Sequence, residues 1–221
     1  MAAAPAAAGL TAHHRFTSRA DGDLAAKSAG VAARRAAVVD LPWTWLRQVH
    51  GAEVVTVPEP GANAGAEADA AVTAVPGAVL AVQVADCAPV VLLADGVVGV
   101  AHAGWRGLVA GVLPATVAAM RALGTGSVRA LLGPCVHPCC YEFDPEELAR
   151  VAAATGDGVE ATSSGGALAL DLPAAVTASL AAVDVEVDTV VSTCTACGAD
   201  RHWSHRARAD QERHAALAWL S

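Results

Sequence analysis

Short runs of apolar residues, each ended by glycine, proline or aspartate, fill the middle of the chain. Runs of this kind, rich in valine and leucine and bounded by turn residues, are typical of β-strands. We therefore predict strands over residues 43–50, 53–57, 69–73, 78–84, 89–94, 97–102, 128–132 and 185–192.

Longer segments have the spacing of apolar residues that is typical of helices. Helices are predicted over residues 108–123, 145–154, 172–182 and 210–220. Gly124 is placed to end the first of them. Asp144 and Asp171 are placed to cap the next two, and Pro173 suits a first helical turn.

This order of strands and helices predicts an α/β fold of the α+β-like kind, in which helices flank a mixed β-sheet. A chain of 221 residues and 22.0 kDa can bury one sizeable core, so we expect a single compact domain over residues 1–221. The alanine-rich residues 1–14 are expected to be a disordered tail. Residues 58–68 and 155–166 are expected to be loops, the second of them mobile.

The charge balance argues against several classes of partner. Fourteen basic residues stand against 22 acidic ones, which gives a net charge of −8, and Lys27 is the only lysine. Such a chain lacks the basic face that nucleic acids or anionic membranes attract. No uninterrupted apolar stretch is long enough for a membrane helix. With six cysteines and no export signal, we expect a cytoplasmic protein with reduced thiols.

Candidate chemistry centres on His50, Cys87 and His102, because each lies where an apolar run meets a polar turn. One thiol and two imidazoles form a three-ligand set. Zinc held by three side chains keeps a fourth position for water or substrate, as in catalytic zinc sites. The sequence therefore predicts an open metal site with a catalytic role.

Six motifs in order give the chain a resemblance to a known family. Together they resemble the YfiH-type family, which is also called laccase-domain or polyphenol-oxidase-like and is regarded as zinc-dependent purine nucleoside phosphorylases. The resemblance covers roughly residues 43–221. The motifs are RQVHG (47–51), DAAVT (69–73), VADCAPVVLL (84–93), GVAHAGWRG (99–107), GPCVHPCCYEF (133–143) and CTACGADRHWSHRAR (194–208).

The resemblance implies a compact α/β domain with its site in a surface cleft. It places the zinc ligands on His50, Cys87 and His102. It further implies phosphorolysis of adenosine, inosine, guanosine or methylthioadenosine to the free base and ribose 1-phosphate. Activation of water by the zinc would add an adenosine deaminase side activity. The expected partners are thus a purine nucleoside and phosphate, and the oligomeric state is left open.

Phosphate needs a separate binding site. Arg106 offers paired N–H donors, and Gly104 begins a turn into a helix whose backbone N–H groups suit an anion. Arg206 is the second phosphate candidate. The competing interpretation of Arg106 is a surface arginine that stacks on the neighbouring Trp105.

The chain departs from the family pattern in three places. The segment over residues 15–35 is abbreviated, which affects the region expected to recognise substrate. One arginine of a usual pair is replaced by Ala207. His137 stands where glycine is common, so it either adds a ligand or fills space.

Other interpretations of the same residues stay open. Cys87 could be the nucleophile of an amidase or peptidase that edits peptidoglycan precursors, with His102 as base and Asp86 or another acid orienting it. Glu142 is a candidate general acid or base, or else an exposed salt-bridge partner. A third class of function that stays open is that of a non-catalytic regulator. Copper in place of zinc is less expected, because the His-x-His pairs of a multicopper cluster are missing.

The remaining cysteines are assigned to packing. Cys194 and Cys197 have the spacing of half a zinc knuckle, and Cys135, Cys139 and Cys140 could supply the rest. Adjacent Cys139 and Cys140 do not give the paired spacing of a four-thiolate site, however, and the resemblance implies no metal at these positions.

Overall fold

The computed structural model describes residues 9–191 and 193–221. The strands of this part are β1 (Ala12–Phe16), β2 (Trp43–Trp45), β3 (Val54–Thr56), β4 (Ala70–Thr73), β5 (Val79–Val84), β6 (Ala88–Ala94), β7 (Val97–Ala103), β8 (Arg129–Leu132), β9 (Glu160–Thr162), β10 (Leu168–Leu170), β11 (Glu186–Val190) and β12 (His214–Leu220). The α-helices are α1 (Val31–Val38), α2 (Trp105–Ala110), α3 (Val112–Ala122), α4 (Pro145–Thr155), α5 (Leu172–Ala181) and α6 (His205–Arg208). Single 3₁₀ turns occupy Arg19–Asp21 and Pro138–Cys140.

The strands form two larger sheets and one hairpin. The six-stranded sheet has the order β11-β8-β6-β7-β4-β3, and the four-stranded sheet has the order β1-β12-β5-β2. Both sheets are mixed, since β11 runs parallel to β8, β3 to β4, and β2 to β5, while the other pairs are antiparallel. Strands β9 and β10 form a separate two-stranded sheet. The chain is thus a mixed α/β domain with helices flanking the sheet, as the sequence predicts.

The six-stranded sheet lies between two apolar layers. Val90 and Leu92 of β6 belong to the core shared with helices α2 to α5, whereas Val91 and Leu93 face the four-stranded sheet. Successive side chains of a strand point to opposite faces, so an apolar run without polar alternation suits a strand that is buried on both sides. This explains the continuous apolar character of β6 and β7.

The caps of two helices are confirmed. The carboxylate of Asp144 accepts the backbone N–H groups of Glu146 and Glu147 at the start of α4, and Asp171 accepts that of Ala174 at the start of α5. Each cap satisfies donors that have no partner within the helix.

The predicted closing helix over 210–220 is wrong, because this segment contains β12. Ala216, Ala218 and Leu220 pack between the two sheets, while Ala215 and Leu217 pack on the opposite face of their sheet. Burial on both faces removes the polar alternation that marks a strand, and alanine and leucine then suggest a helix.

The predicted tail over residues 1–14 is wrong for its described part. Strand β1 pairs with β12 from Ala12 to Phe16 in antiparallel register, with His13 opposite Trp219. Residues 1–8 lie outside the described residues. Strand β1 therefore closes one edge of the four-stranded sheet.

Four other boundaries need correction. The strand predicted over 43–50 ends at Trp45, and the helix predicted over 108–123 is two helices separated at Gly111, whose φ of 85° is left-handed. The loop predicted over 155–166 contains β9. The strand predicted over 185–192 is β11, and Ser192 lies outside the described residues.

Within the described ranges, no helix combines the length and apolar character needed to cross a lipid bilayer.

Candidate functional site

The fold brings His50, Cys87 and His102 together. One donor atom from each side chain lies within 4.8 Å of the other two. The Cys87 Sγ is 3.7 Å from His50 Nε2, and the two imidazole rings meet edge to face with centroids 4.8 Å apart. His102 is buried, Cys87 half-buried and His50 exposed. The three predicted ligands therefore lie close together where the buried core meets the protein surface.

The β6–β7 hairpin explains how residues distant in sequence meet. Pro89 pairs with His102 across the two strands, and Cys87 comes immediately before β6. Gly104 directly follows β7 and lies close to the side chains of His50 and Cys87. A Cβ atom at Gly104 would lie 2.8 Å from His50 Cδ2 and 3.0 Å from Cys87 Sγ, so only glycine leaves these side chains room.

Asp69 organises two of the three predicted ligands, a role that the sequence did not predict. Its carboxylate accepts the backbone N–H groups of Val49, His50 and Gly51 at 3.1, 2.9 and 2.8 Å. It also lies 2.8 Å from Nδ1 of His102. With Nδ1 donating to Asp69, Nε2 of His102 is free to bind a metal, as in carboxylate–histidine–zinc arrangements.

Asp69 also fixes the backbone of the loop that follows β2. The N–H groups of Val49, His50 and Gly51 all bond to its side chain. His50 consequently adopts a left-handed backbone with a φ of 61°. Strained backbone of this kind is frequent at functional sites. The only sequence signal for Asp69 was its place at the start of the DAAVT motif.

The ionisation of the cluster is strongly coupled. Burial opposes ionisation of Cys87, but His102 and His50 together lower the pKa of this thiol to about 6. Burial likewise disfavours charged His102, yet Cys87 and Asp69 raise the pKa of His102 to about 9. Burial would raise the pKa of Asp69, whereas His102 and the backbone N–H groups hold it below its usual value. In the absence of a metal ion, these contacts thus favour the thiolate of Cys87, the imidazolium of His102 and the carboxylate of Asp69.

Two open cavities meet at the cluster. One, of about 390 Å³, is lined by Leu46, Gln48, His50, Gln83, Val84, Ala85, Cys87, His102, His205 and Arg213. We call it the amide lobe, after Gln48 and Gln83. The other, of about 410 Å³, is lined by His50, Ala85, Asp86, Cys87, Gly104, Trp105, Arg106, Tyr141, His205 and Arg206. We call it the arginine lobe, after Arg106 and Arg206.

The two arginines predicted to bind phosphate line the same lobe. The guanidinium of Arg106 stacks on Trp105 at 4.2 Å and lies 3.8 Å from a carboxylate oxygen of Glu147, with most of its side chain exposed. The guanidinium of Arg206 lies over the ring of Tyr141 at 5.0 Å. Neither guanidinium group is buried in a strong ion pair, so both are accessible to an anion in the cleft.

Asp86 does not orient His102, because its carboxylate has other partners. It accepts Thr195 Oγ1 at 2.6 Å and the backbone N–H of Arg206 at 2.6 Å. Asp86 therefore joins the Cys87 turn to the segment that carries Arg206. The acid beside His102 is Asp69, where the sequence predicted Asp86 or another acid.

Glu142 and His137 are not among the residues that line the cleft. Glu142 accepts a hydrogen bond from Ser163 Oγ at 3.0 Å, which ties it to the loop before β10. The imidazole of His137 is half-buried away from the His50 cluster, and burial lowers its pKa. The structure therefore favours a packing role for His137 and a structural role for Glu142.

Comparisons with known proteins agree with this architecture. The model of a family described as multi-copper polyphenol oxidoreductase laccase matches residues 17–221. A protein of Streptomyces coelicolor named purine nucleoside phosphorylase is 44% identical over 207 residues, which are 91% of this chain and 81% of the relative. A protein of the same name from Mycobacterium tuberculosis is 37% identical over 90% of this chain and 82% of its own length.

Solved structures share the fold. Bacillus licheniformis hypothetical protein YfiH superposes with a TM-score of 0.83 at 23% identity, covering 95% of this chain and 93% of its own. YlmD from Geobacillus stearothermophilus superposes with a TM-score of 0.73 at 26% identity, covering 98% and 92%.

Proposed function

The chain belongs to the multi-copper polyphenol oxidoreductase laccase family, the YfiH-type family that its motifs resemble, and from that premise we propose that it is a zinc-dependent purine nucleoside phosphorylase. It would convert a purine nucleoside and phosphate to the free base and ribose 1-phosphate. The observation that carries the proposal is the convergence of His50, Cys87 and His102 beside a lobe lined by two arginines.

The donor set fits zinc. Zinc–ligand bonds of about 2.0 to 2.3 Å in a tetrahedron put neighbouring donor atoms about 3.3 to 3.8 Å apart. Cys87 Sγ and His50 Nε2 lie 3.7 Å apart, within this range. Zinc in such a three-ligand site supplies Lewis acidity and lowers the pKa of a water in its free position. Among the described residues, the triad has no neighbouring group of histidines that would complete a multicopper cluster, so we propose zinc rather than copper.

The arginine lobe supports phosphate binding. Arg106 and Arg206 can each donate paired N–H groups to phosphate oxygens and hold the anion next to the ligand cluster. The backbone of Gly104 borders the same space. The amide lobe on the other side of the cluster has the size to take the base. Phosphate would thus be held on one side of the ribose while the purine leaves on the other.

Deamination of adenosine is proposed as a side activity. It requires water at C6 of the purine and no phosphate, so a nucleoside placed differently in the same open site would undergo it.

Product analysis tests both activities. Inosine and adenosine are incubated with the purified protein, with and without phosphate, and the products are separated by chromatography. We expect hypoxanthine and ribose 1-phosphate from inosine only when phosphate is present. Conversion of adenosine to inosine without phosphate would show the side activity. No phosphate-dependent release of base from any purine nucleoside would contradict the proposal.

A second candidate function follows from the spatial arrangement of Cys87, His102 and Asp69. Thiol, imidazole and carboxylate stand in the arrangement of a Cys–His–acid hydrolase, in which Asp69 takes the role of the orienting acid. An amidase or peptidase acting on peptidoglycan precursors is the corresponding function.

Covalent labelling separates the two candidates. In metal-free protein, an amide substrate that acylates Cys87, detected as a mass increase on its peptide, would support the hydrolase. Zinc that binds in a one-to-one ratio and is lost in Cys87→Ala would support the phosphorylase.

A further inference from the structure

A second cluster of side chains of the kind that bind metals lies outside the cleft. The sulfur atoms of Cys139, Cys140, Cys194 and Cys197 all lie within 4.8 Å of one another. Cys197 Sγ is 3.7 Å from Cys139 Sγ and 3.3 Å from Cys140 Sγ. In a tetrahedral four-thiolate zinc site, bonds of about 2.3 Å put the sulfur atoms about 3.8 Å apart. The cluster therefore has close to the spacing that one zinc ion needs.

We propose that Cys139, Cys140, Cys194 and Cys197 bind a structural zinc ion. The spacing of the adjacent pair argued against such a site in the sequence. The 3₁₀ turn Pro138–Cys140 changes that argument, because it brings both sulfur atoms of the pair toward the Cys194 to Cys197 loop. Four protein thiolates leave no position for substrate, so the site is a structural one.

The loop that carries two of the ligands is held in place before any metal binds. The N–H of Gly198 donates to the carbonyl of Cys194 at 2.8 Å, and the N–H of Thr195 donates to the carbonyl of Cys135 at 3.0 Å. The guanidinium of Arg208 donates to the carbonyl of Ala196 at 3.0 Å. A preformed loop lowers the entropy cost of binding an ion.

Backbone N–H groups point at one of the sulfur atoms. His137 N–H donates to Cys194 Sγ at 3.4 Å, and the N–H groups of Ala196 and Cys197 also donate to it. Such outer hydrogen bonds orient thiolates that bind metals and offset their negative charge. Cys135, which is buried nearby, is not part of the cluster and has no such role.

The position of the cluster links it to the cleft. Tyr141 directly follows Cys140 and lines the arginine lobe. Thr195, between the other two ligands, donates to the carboxylate of Asp86 beside Cys87. A metal ion here would hold together the two segments that form one wall of the cleft.

Zinc content tests the proposal. Protein purified under reducing conditions without chelator is expected to hold about two zinc ions per chain, one in each site. The double variant Cys139→Ser/Cys197→Ser should hold one and should melt at a lower temperature. Cys135→Ala, the matched control, should keep both. The inference does not rest on the proposed function. The variant His50→Ala/His102→Ala should lose the zinc ion of the cleft and keep the zinc ion of the four cysteines.

Diffraction at the zinc absorption edge from wild-type crystals covers the case in which the double variant fails to fold. An anomalous peak centred among the four sulfur atoms is the expected result. No zinc at that position would overturn the proposal, and so would a disulfide among the four cysteines of reduced, freshly purified protein.

Discussion

At the scale of single residues, Asp69 is the side chain on which the geometry of the site depends most. It is fully buried, and its two oxygens satisfy three backbone N–H groups and one imidazole. A carboxylate in this position fixes the loop of His50 and the ring of His102 at once. Asp69 is not itself one of the three proposed metal ligands.

Asp69→Asn is expected to weaken zinc binding about 10- to 100-fold, the usual cost of losing an outer partner of a ligand. Asparagine has no negative charge, and its amide group repels one of the N–H groups that Asp69 accepts. Competition with a chromophoric chelator measures the affinity. Asp188→Asn, which changes a carboxylate far from the site, should leave it unchanged, and equal affinities for both variants would contradict the assignment.

Gly104→Ala is expected to lower zinc content and activity strongly. The added methyl group would stand within 3.0 Å of His50 and Cys87 and push them apart. Gly126→Ala is the control, because nothing lies within 4 Å of a Cβ atom there. Zinc analysis and inosine phosphorolysis measure the effect. A fully loaded, active Gly104→Ala protein would show that the three ligands do not need their observed separation.

The sequence allowed prediction of the three residues that cluster in the cleft, but not of the residues that support them. Histidine and cysteine at strand ends are distinctive, so His50, Cys87 and His102 could be selected by residue type. Asp69 opens a strand, where aspartate is common, and nothing in one sequence shows that its side chain turns back toward residues 49–51. For the four-cysteine cluster the sequence favoured packing over a metal site, because adjacent Cys139 and Cys140 lack the paired spacing of four-thiolate sites. The nearness of Cys140 to Cys194 does not follow from their separation in the chain.

At the scale of elements, the last strand is where the sequence was most misleading and where acid sensitivity is expected. Helices α4 and α5 were predictable because their caps and apolar faces agree. Strand β12 was not, because burial on both faces leaves no period to detect. The break between α2 and α3 depends on the left-handed Gly111, and a glycine within a helical pattern only weakly indicates such a break.

His214 in β12 should make the fold sensitive to acid. Burial, with a further contribution from His202, lowers the pKa of His214 to about 3. The unfolded chain takes up this proton below about pH 6.5, whereas the folded chain stays neutral until about pH 3. Above about pH 6.5, His214 is neutral in both states and the free energy of unfolding does not depend on its titration. Below about pH 6.5, the free energy of unfolding falls by about 1.4 kcal/mol per pH unit.

Urea unfolding between pH 7 and pH 4 measures this slope. His214→Gln should reduce the slope of unfolding free energy against pH by the amount that corresponds to about one bound proton. His13→Gln should leave the slope unchanged, because His13 is less buried. An unchanged slope in His214→Gln would show that this histidine is not the group responsible.

At the scale of the whole molecule, the charge of the cleft opposes that of the chain. The net charge is −8, yet Arg106, Arg206 and Arg213 all line the two lobes. A local positive field in an acidic protein attracts an anion to one place and leaves the rest of the surface repulsive. This distribution would suit phosphate as a substrate.

Ionic strength should therefore affect one substrate and not the other. Raising the salt concentration from about 0.05 to about 0.5 M shortens the screening length severalfold, so the KM for phosphate should rise. The KM for inosine, which is neutral, should change little and serves as the internal control. Initial rates with each substrate varied in turn give both values. Equal changes in both would argue against arginines as the phosphate site.

The central claim is that one zinc ion, held by His50, Cys87 and His102, supports phosphorolysis of a purine nucleoside. Phosphate-dependent release of hypoxanthine from inosine, followed before zinc removal, after it and after zinc is added back, tests this most directly. Activity should disappear with the metal and return when zinc is added back, but it should not return in His102→Ala. Base release that continues at its full rate in metal-free protein would contradict it.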